Sequence, residues 1–240
     1  MQLKASSFIE NRVNKTSITN NRIRTLLCYV IDCYNLITRD NIIYDYSTIG
    51  KIKQEDYLRN SLVDDYLRKN LDQINTGTDE YSIFSKDAEE SYFDVNDSLE
   101  HNDKIDIQIV DNGLQKVWNS NDQIYFAIEC KRIKTLSDTT NYVDDIKKFT
   151  ERNYNSTRLP FEGQLAFVES KSLSSNKIVE SIKGKLKKHA SITTTAYLSE
   201  IEIHPLNCTY FSEHKRNFKP LNSFSIYHIM LDYSEIVVNV

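Results

Sequence analysis

The chain has 240 residues, a formal net charge of −4, 40% hydrophobic residues and 27% charged residues, the balance of an ordinary water-soluble globular protein. No stretch approaches the roughly 18 apolar residues of a membrane span, and Met1-Gln2-Leu3-Lys4-Ala5-Ser6-Ser7 lacks the apolar core of a signal peptide. A cytoplasmic location without a membrane partner is therefore expected. The charge balance excludes a globally basic nucleic-acid binder. Cys28, Cys33, Cys130 and Cys208 form neither a CxxC pair nor a metal-finger spacing, so they read as free thiols.

Ile23, Leu26, Leu27, Val30 and Ile31 recur at helical spacing and predict a helix over 21–37. Leu58, Leu62, Tyr66 and Leu67 predict a second over 53–71. Residues 75–103 have neither period. The stretch 79–103 carries nine acids against one base, Lys86, so the segment reads as a long acidic loop with room for one short strand. Strands follow at 104–110 and 123–133, and Asp111-Asn112-Gly113 between them is a turn signal for an antiparallel hairpin. Residues 138–149 predict a helix capped by Thr139 or Thr140, and 164–168 an apolar strand. A lysine-rich helix is expected over 176–189, then two closing strands over 194–204 and 224–233. This order predicts an α/β fold with a mixed central β-sheet flanked by helices. A helical extension over 1–48 would precede a domain over 49–240.

Two strands carry the strongest chemical signal. Side chains alternate across a strand, so Glu129 and Lys131 share one face while Ile128 and Cys130 share the other. Asp106 likewise projects opposite Ile105 and Ile107. Two carboxylates can hold a divalent cation, and the main-chain carbonyl of Cys130 is a further hard oxygen donor. Lys131 beside them would assist the attacking water or offset charge in the transition state. The pattern points to metal-dependent phosphodiester hydrolysis. Glu55 lies three residues before Leu58 and seven before Leu62, on the core-facing side of its helix. An inward carboxylate is costly unless paired or metal-bound, so Glu55 is a candidate third ligand; equally, it reads as an acid stabilising the helix N-terminus. Arg132, Lys134, Gln164, Lys183 and Lys187 are candidate nucleic-acid contacts, and the same residues also read as solvated charges or a polar strand end. His204, His214 and His228 lack metal-ligand spacing, and His228 reads as a core histidine. Phosphate-loop, dinucleotide-binding, HExxH and GxSxG motifs are all absent.

Asp106 followed by Glu129-Cys130-Lys131 on paired strands, then a helix and another strand, resembles the PD-(D/E)xK nuclease superfamily over about 50–170. The sequence departs from that pattern at Ile105, where a proline commonly precedes the first acid. The resemblance implies a restriction-endonuclease-like core and a DNA endonuclease. It also implies Mg²⁺, replaceable by Mn²⁺, held by Asp106, Glu129, the Cys130 carbonyl and Glu55. Homo-oligomerisation or a partner subunit would supply target recognition. Residues 142–149, 163–168 and 228–233 are similar to elements of bacterial restriction or anti-phage nucleases, which extends the expectation to defence. Two alternatives stay open: a catalytically inactive module that binds nucleic acid or protein on the same fold, and a nuclease acting on RNA.

Overall fold

A computed structural model describes residues 5–74, 82–118, 123–154, 159–203, 206–218 and 223–239. The first apolar period belongs to a longer helix than expected, α1 (Ala5–Arg39), whose sequence contains no glycine or proline to end it. Its Ile23, Leu26, Leu27, Val30 and Ile31 are fully buried among Ile107, Phe126, Ile128, Leu165 and Leu231 of the sheet. The segment expected as an extension therefore contributes to the sheet's own core. The second predicted helix is α2 (Gln54–Ser61), continued by a π-helical turn over Leu62–Leu67, and it buries Leu58, Leu62, Val63 and Leu67 against the same core.

The acidic stretch is not a long loop. It forms β2 (Ile83–Asp94), paired antiparallel with β3 (Glu100–Val110) from Ile83–Val110 to Phe93–Glu100. Backbone pairing, rather than a regular apolar face, holds this hairpin, so alternation gave no warning of it. The connection after β3 also differs from the expected tight turn, because it contains a helix, α3 (Asn112–Trp118). The buried Asp111 carboxylate accepts from the Leu114 amide at 3.0 Å and receives Arg22 of α1 at 2.8 and 2.6 Å. A Cβ at Gly113 would fall 2.9 Å from Asp111 Oδ1 and 3.0 Å from Arg22 Nε, which accounts for glycine there.

The remaining elements are β4 (Tyr125–Ile133), α4 (Thr139–Glu151), β5 (Arg152–Tyr154), β6 (Phe161–Val168) and α5 (Ser175–Lys188). Three strands close the chain where two were expected: β7 (Thr193–Glu200), β8 (Thr209–Lys215) and β9 (Ser223–Asp232). The predicted cap of α4 moves upstream. Asp138 Oδ2 accepts from the amides of Thr135 and Lys134 at 2.7 and 2.9 Å, around a 3₁₀ turn over Leu136–Asp138.

The eight strands order as β5-β2-β3-β4-β6-β9-β8-β7. The central β4, β6 and β9 are parallel and their flanking pairs antiparallel, so the sheet is mixed. A small parallel pair of Tyr44–Asp45 with Val237–Val238 joins the two ends of the chain. All eight residues of β6 are buried, as expected of a parallel strand covered on both faces. One face packs on α1 and α2. The other packs Ile133, Ala166, Val168, Ile226 and Met230 on Tyr142, Val143, Ile146 and Phe149 of α4 and on Ile178, Ile182 and Leu186 of α5. Among the described residues, no helix is long and apolar enough to cross a membrane.

Candidate functional site

The ladder between β3 and β4 covers Val110–Tyr125 to Ile107–Ile128 and then stops. Beyond it, Asp106 Oδ2 takes the amide of Cys130 at 2.8 Å, so a carboxylate bridges the opening between the strands. Helices α2 and α4 bring further charge to this opening, and two buried cations organise it.

The first is Arg59 of α2, 3% exposed. It reaches Asp106 Oδ1 at 2.6 Å, Asp87 Oδ2 at 3.0 Å and Asp56 Oδ1 at 3.4 Å. Asp87 sits in β2 between Lys86 and Ala88, which pair with Ile107 and Ile105, so it lies across from Asp106. Its φ of 52° is left-handed, a conformation costing about 1–2 kcal/mol for a residue with a Cβ. Strain of this kind persists where the surroundings over-determine the residue, and here its carboxylate is fixed on Arg59.

The second is Lys131. Its Nζ lies 3.2 Å from Glu55 Oε1, 3.1 Å from Asp145 Oδ2 and 3.0 Å from the Cys130 carbonyl. Glu55 Oε2 accepts from the Arg132 amide at 3.0 Å. Asp145 of α4 is 1% exposed. Its Oδ1 pairs with Lys148 at 2.9 Å, while Oδ2 accepts no hydrogen bond. Glu129 is half-buried on β4 between these groups and, among the described residues, makes no hydrogen bond or ion pair.

Six carboxylates, Glu55, Asp56, Asp87, Asp106, Glu129 and Asp145, thus surround three cations, Arg59, Lys131 and Lys148, an excess of three negative charges. The consequences follow from desolvation and Coulomb's law. Burial pushes the Glu129 carboxyl well above its usual range, and Asp106 and Asp145 push it further. Burial raises Glu55 despite the opposing charge of Lys131. For Lys131 burial disfavours the charge, but Asp145, Glu55 and Asp106 outweigh it and hold the amine above its ordinary value. Lys131 is therefore a fixed ammonium at neutral pH, which settles a direction that composition left open.

Among the described residues, no three His, Cys, Asp or Glu side chains are arranged to hold a metal ion. Asp106 and Glu55, the predicted ligands, are turned to Arg59 and Lys131, and the Cys130 carbonyl accepts from Lys131. The donor chemistry nevertheless suits a hard divalent cation: unpaired Glu129, the undonated Asp145 Oδ2 and an excess of negative oxygen.

The structure brings Glu55, Asp106, Glu129, Cys130 and Lys131 together as expected from the strand alternation. The predicted nucleic-acid contacts divide. Gln164 pairs with Glu129 in register but is 1% exposed and donates to the Tyr142 carbonyl at 2.6 Å, so it holds α4 to the sheet and is not open to nucleic acid. The Arg132 guanidinium binds Glu169, at 2.6 Å for its Nη2, and lies 5.0 Å over the Tyr46 ring, an internal tie and not a free cation. Lys134 is exposed. Lys183 pairs with Glu180 at 2.9 Å, and Lys187 lies over Tyr197 on the distant α5. His214 and His228 are buried in a chain of hydrogen bonds through Ser212 to the Tyr142 hydroxyl. His204 lies outside the described residues.

Sequence reasoning missed Arg59, Asp87 and Asp145. Asp145 stands three residues after Tyr142 and four before Phe149, within the apolar stripe of α4, and Arg59 adjoins Leu58 four residues after Glu55. A charge inside an apolar helical stripe was the available signal. Asp87 offered none, because its position depends on the β2–β3 register. No protein-family model, curated protein or solved structure matches this chain.

Proposed function

We propose that this chain is a metal-dependent nuclease that hydrolyses DNA phosphodiester bonds, on a core of the restriction-endonuclease-like type. The observation that carries this reading is the unpaired, half-buried Glu129 carboxylate within an excess of negative charge beside a fixed ammonium. A fold keeps such an arrangement at a cost unless something positive or proton-bearing binds it. Asp106, Glu129, Asp145 and the Cys130 carbonyl are the oxygens that would hold Mg²⁺ or Mn²⁺. Such an ion supplies Lewis-acid neutralisation of the phosphate's non-bridging oxygens.

The protein's own groups have separable tasks. Lys131, kept charged by Asp145 and Glu55, offsets negative charge that develops on the phosphate. The elevated basicity of the Glu129 carboxyl suits it to take a proton from the attacking water. Glu55 fixes Lys131 and the Arg132 amide together, setting the ammonium's position at the strand opening. Arg59 counters Asp106 and Asp87 until a stronger cation competes for them.

Incubation of the purified chain with supercoiled DNA, linear DNA and RNA, each with Mg²⁺, Mn²⁺ or EDTA, tests the reading. Cleavage should require the metal and vanish in Glu129→Gln and Lys131→Ala. Retained metal-dependent cleavage in either variant would sink it. A second reading, a non-catalytic nucleic-acid-binding module, draws on the Arg59–Asp106 pair, which already neutralises one predicted ligand. Mn²⁺ titration calorimetry on wild type and Asp106→Ala separates the two, because only the hydrolytic reading expects binding that the variant weakens.

A further inference from the structure

Glu55 and Lys131 also form one wall of a cavity of about 370 Å³, within the range of small-ligand pockets. Its other walls come from Lys53 and Gln54 at the start of α2, from Arg132 and Lys134 at the end of β4, and from Asp138 and Asn141 at the start of α4. Several of these groups are already engaged by the fold. Asp138 caps the turn before α4, Glu55 binds Lys131 and the Arg132 amide, and the Arg132 guanidinium binds Glu169.

What remains is distinctive. Among the described residues, Lys53 and Lys134 make no ion pair, and the Gln54 and Asn141 side-chain amides make no hydrogen bond. No side chain caps α2, so its first-turn amides also point their partial positive charge toward this wall. Four cationic side chains against two carboxylates give the lining a net charge of +2. The neighbouring carboxylate cluster has the opposite sign, and Glu55 and Lys131 belong to both. Unengaged ammoniums and amides on one concave wall are the donor set of a phosphate.

We propose that this cavity binds the phosphate of the nucleotide adjacent to the bond that is cut. The identity of the anion rests on the nuclease reading, whereas its binding does not require the metal. The strand would then cross the site with one phosphate over Lys131 and the next between Lys53 and Lys134.

Calorimetric titration of the full chain in EDTA, with deoxythymidine 5′-monophosphate and with thymidine, tests the pocket alone. The monophosphate is expected to bind saturably and thymidine not at all, and the Lys53→Ala/Lys134→Ala double variant should weaken monophosphate binding at least tenfold. For a ten-residue oligothymidylate, the same variant should lower the slope of log K against log salt by about 1.4, two phosphate contacts at roughly 0.7 each on a single strand. Equal binding of thymidine and its monophosphate, or unchanged binding in the double variant, overturns the proposal. Monophosphate binding without hydrolysis of any nucleic acid would keep the pocket and discard the nuclease. Hydrolysis without such binding would do the reverse.

Discussion

Glu129→Gln should make the protein more stable while removing its activity. The glutamine is nearly isosteric and carries no charge, and its amide can donate to Asp106 or Asp145, where the native carboxylate only repels them. An ionised, partly buried group without a partner costs about 1–3 kcal/mol, so the variant should gain that amount at pH 8 in EDTA. For a chain of this length the gain corresponds to roughly 2–10 °C in Tm. The pH dependence gives a sharper test. A carboxyl whose folded value lies above its unfolded value binds its proton more tightly in the native state. Its favourable contribution is complete below the ordinary glutamate value of 4.5 and is lost as pH rises through the folded value. The variant and wild type should therefore nearly coincide at pH 4.5 and diverge as pH rises, with the variant the more stable. Urea unfolding followed by circular dichroism at pH 4.5, 6, 7 and 8 measures the gap. A variant no more stable than wild type at pH 8, or a gap that does not change with pH, refutes the reasoning.

Arg59→Gln leaves Asp106, Asp87 and Asp56 without their shared cation and should cost about 2–4 kcal/mol by urea unfolding. Because the vacated charge favours any replacement cation, Mn²⁺ should raise the variant's Tm more than the wild type's; an equal shift counts against it. Asp145→Asn removes the counter-charge of Lys131 and Lys148, both partly exposed, and should cost about 1–3 kcal/mol in the same assay, whereas an unchanged midpoint would deny Asp145 its role. Burial lowers His214 to about 4, so below the ordinary 6.5 the unfolded chain takes up a proton that the native state refuses. That loss amounts to about 2 kcal/mol at pH 5, and the fall in stability from pH 7 to 5 should shrink by this amount in His214→Asn; an identical fall in both proteins contradicts the assignment.

The legible parts of the site share one property: each depends on a period within a single element. Alternation placed Glu129 and Lys131 on one face of β4 and Asp106 on the polar face of β3, and helical spacing turned Glu55 inward. The elements themselves were visible wherever an apolar stripe was strong, as in α4, α5 and β6. Strand β8 escaped because its buried positions include Ser212 and His214, polar residues satisfied by His228 from the neighbouring strand. Hairpin β2–β3 escaped because its cohesion is main-chain pairing along an acidic sequence.

By itself, then, the sequence determined the mixed α/β character and the small set of charged residues that converge at the end of β4. Which oxygens are paired was decided only by tertiary structure. Arg59 meets Asp106 and Asp87 across 47 and 28 residues of sequence, and Lys131 meets Glu55 across 76. Glu129 is left without a donor only because those partners are taken by others. Periodicity reports which face a side chain occupies, but Coulomb energy depends on distances between elements, and these exist only once the strands have parted and the helices have packed.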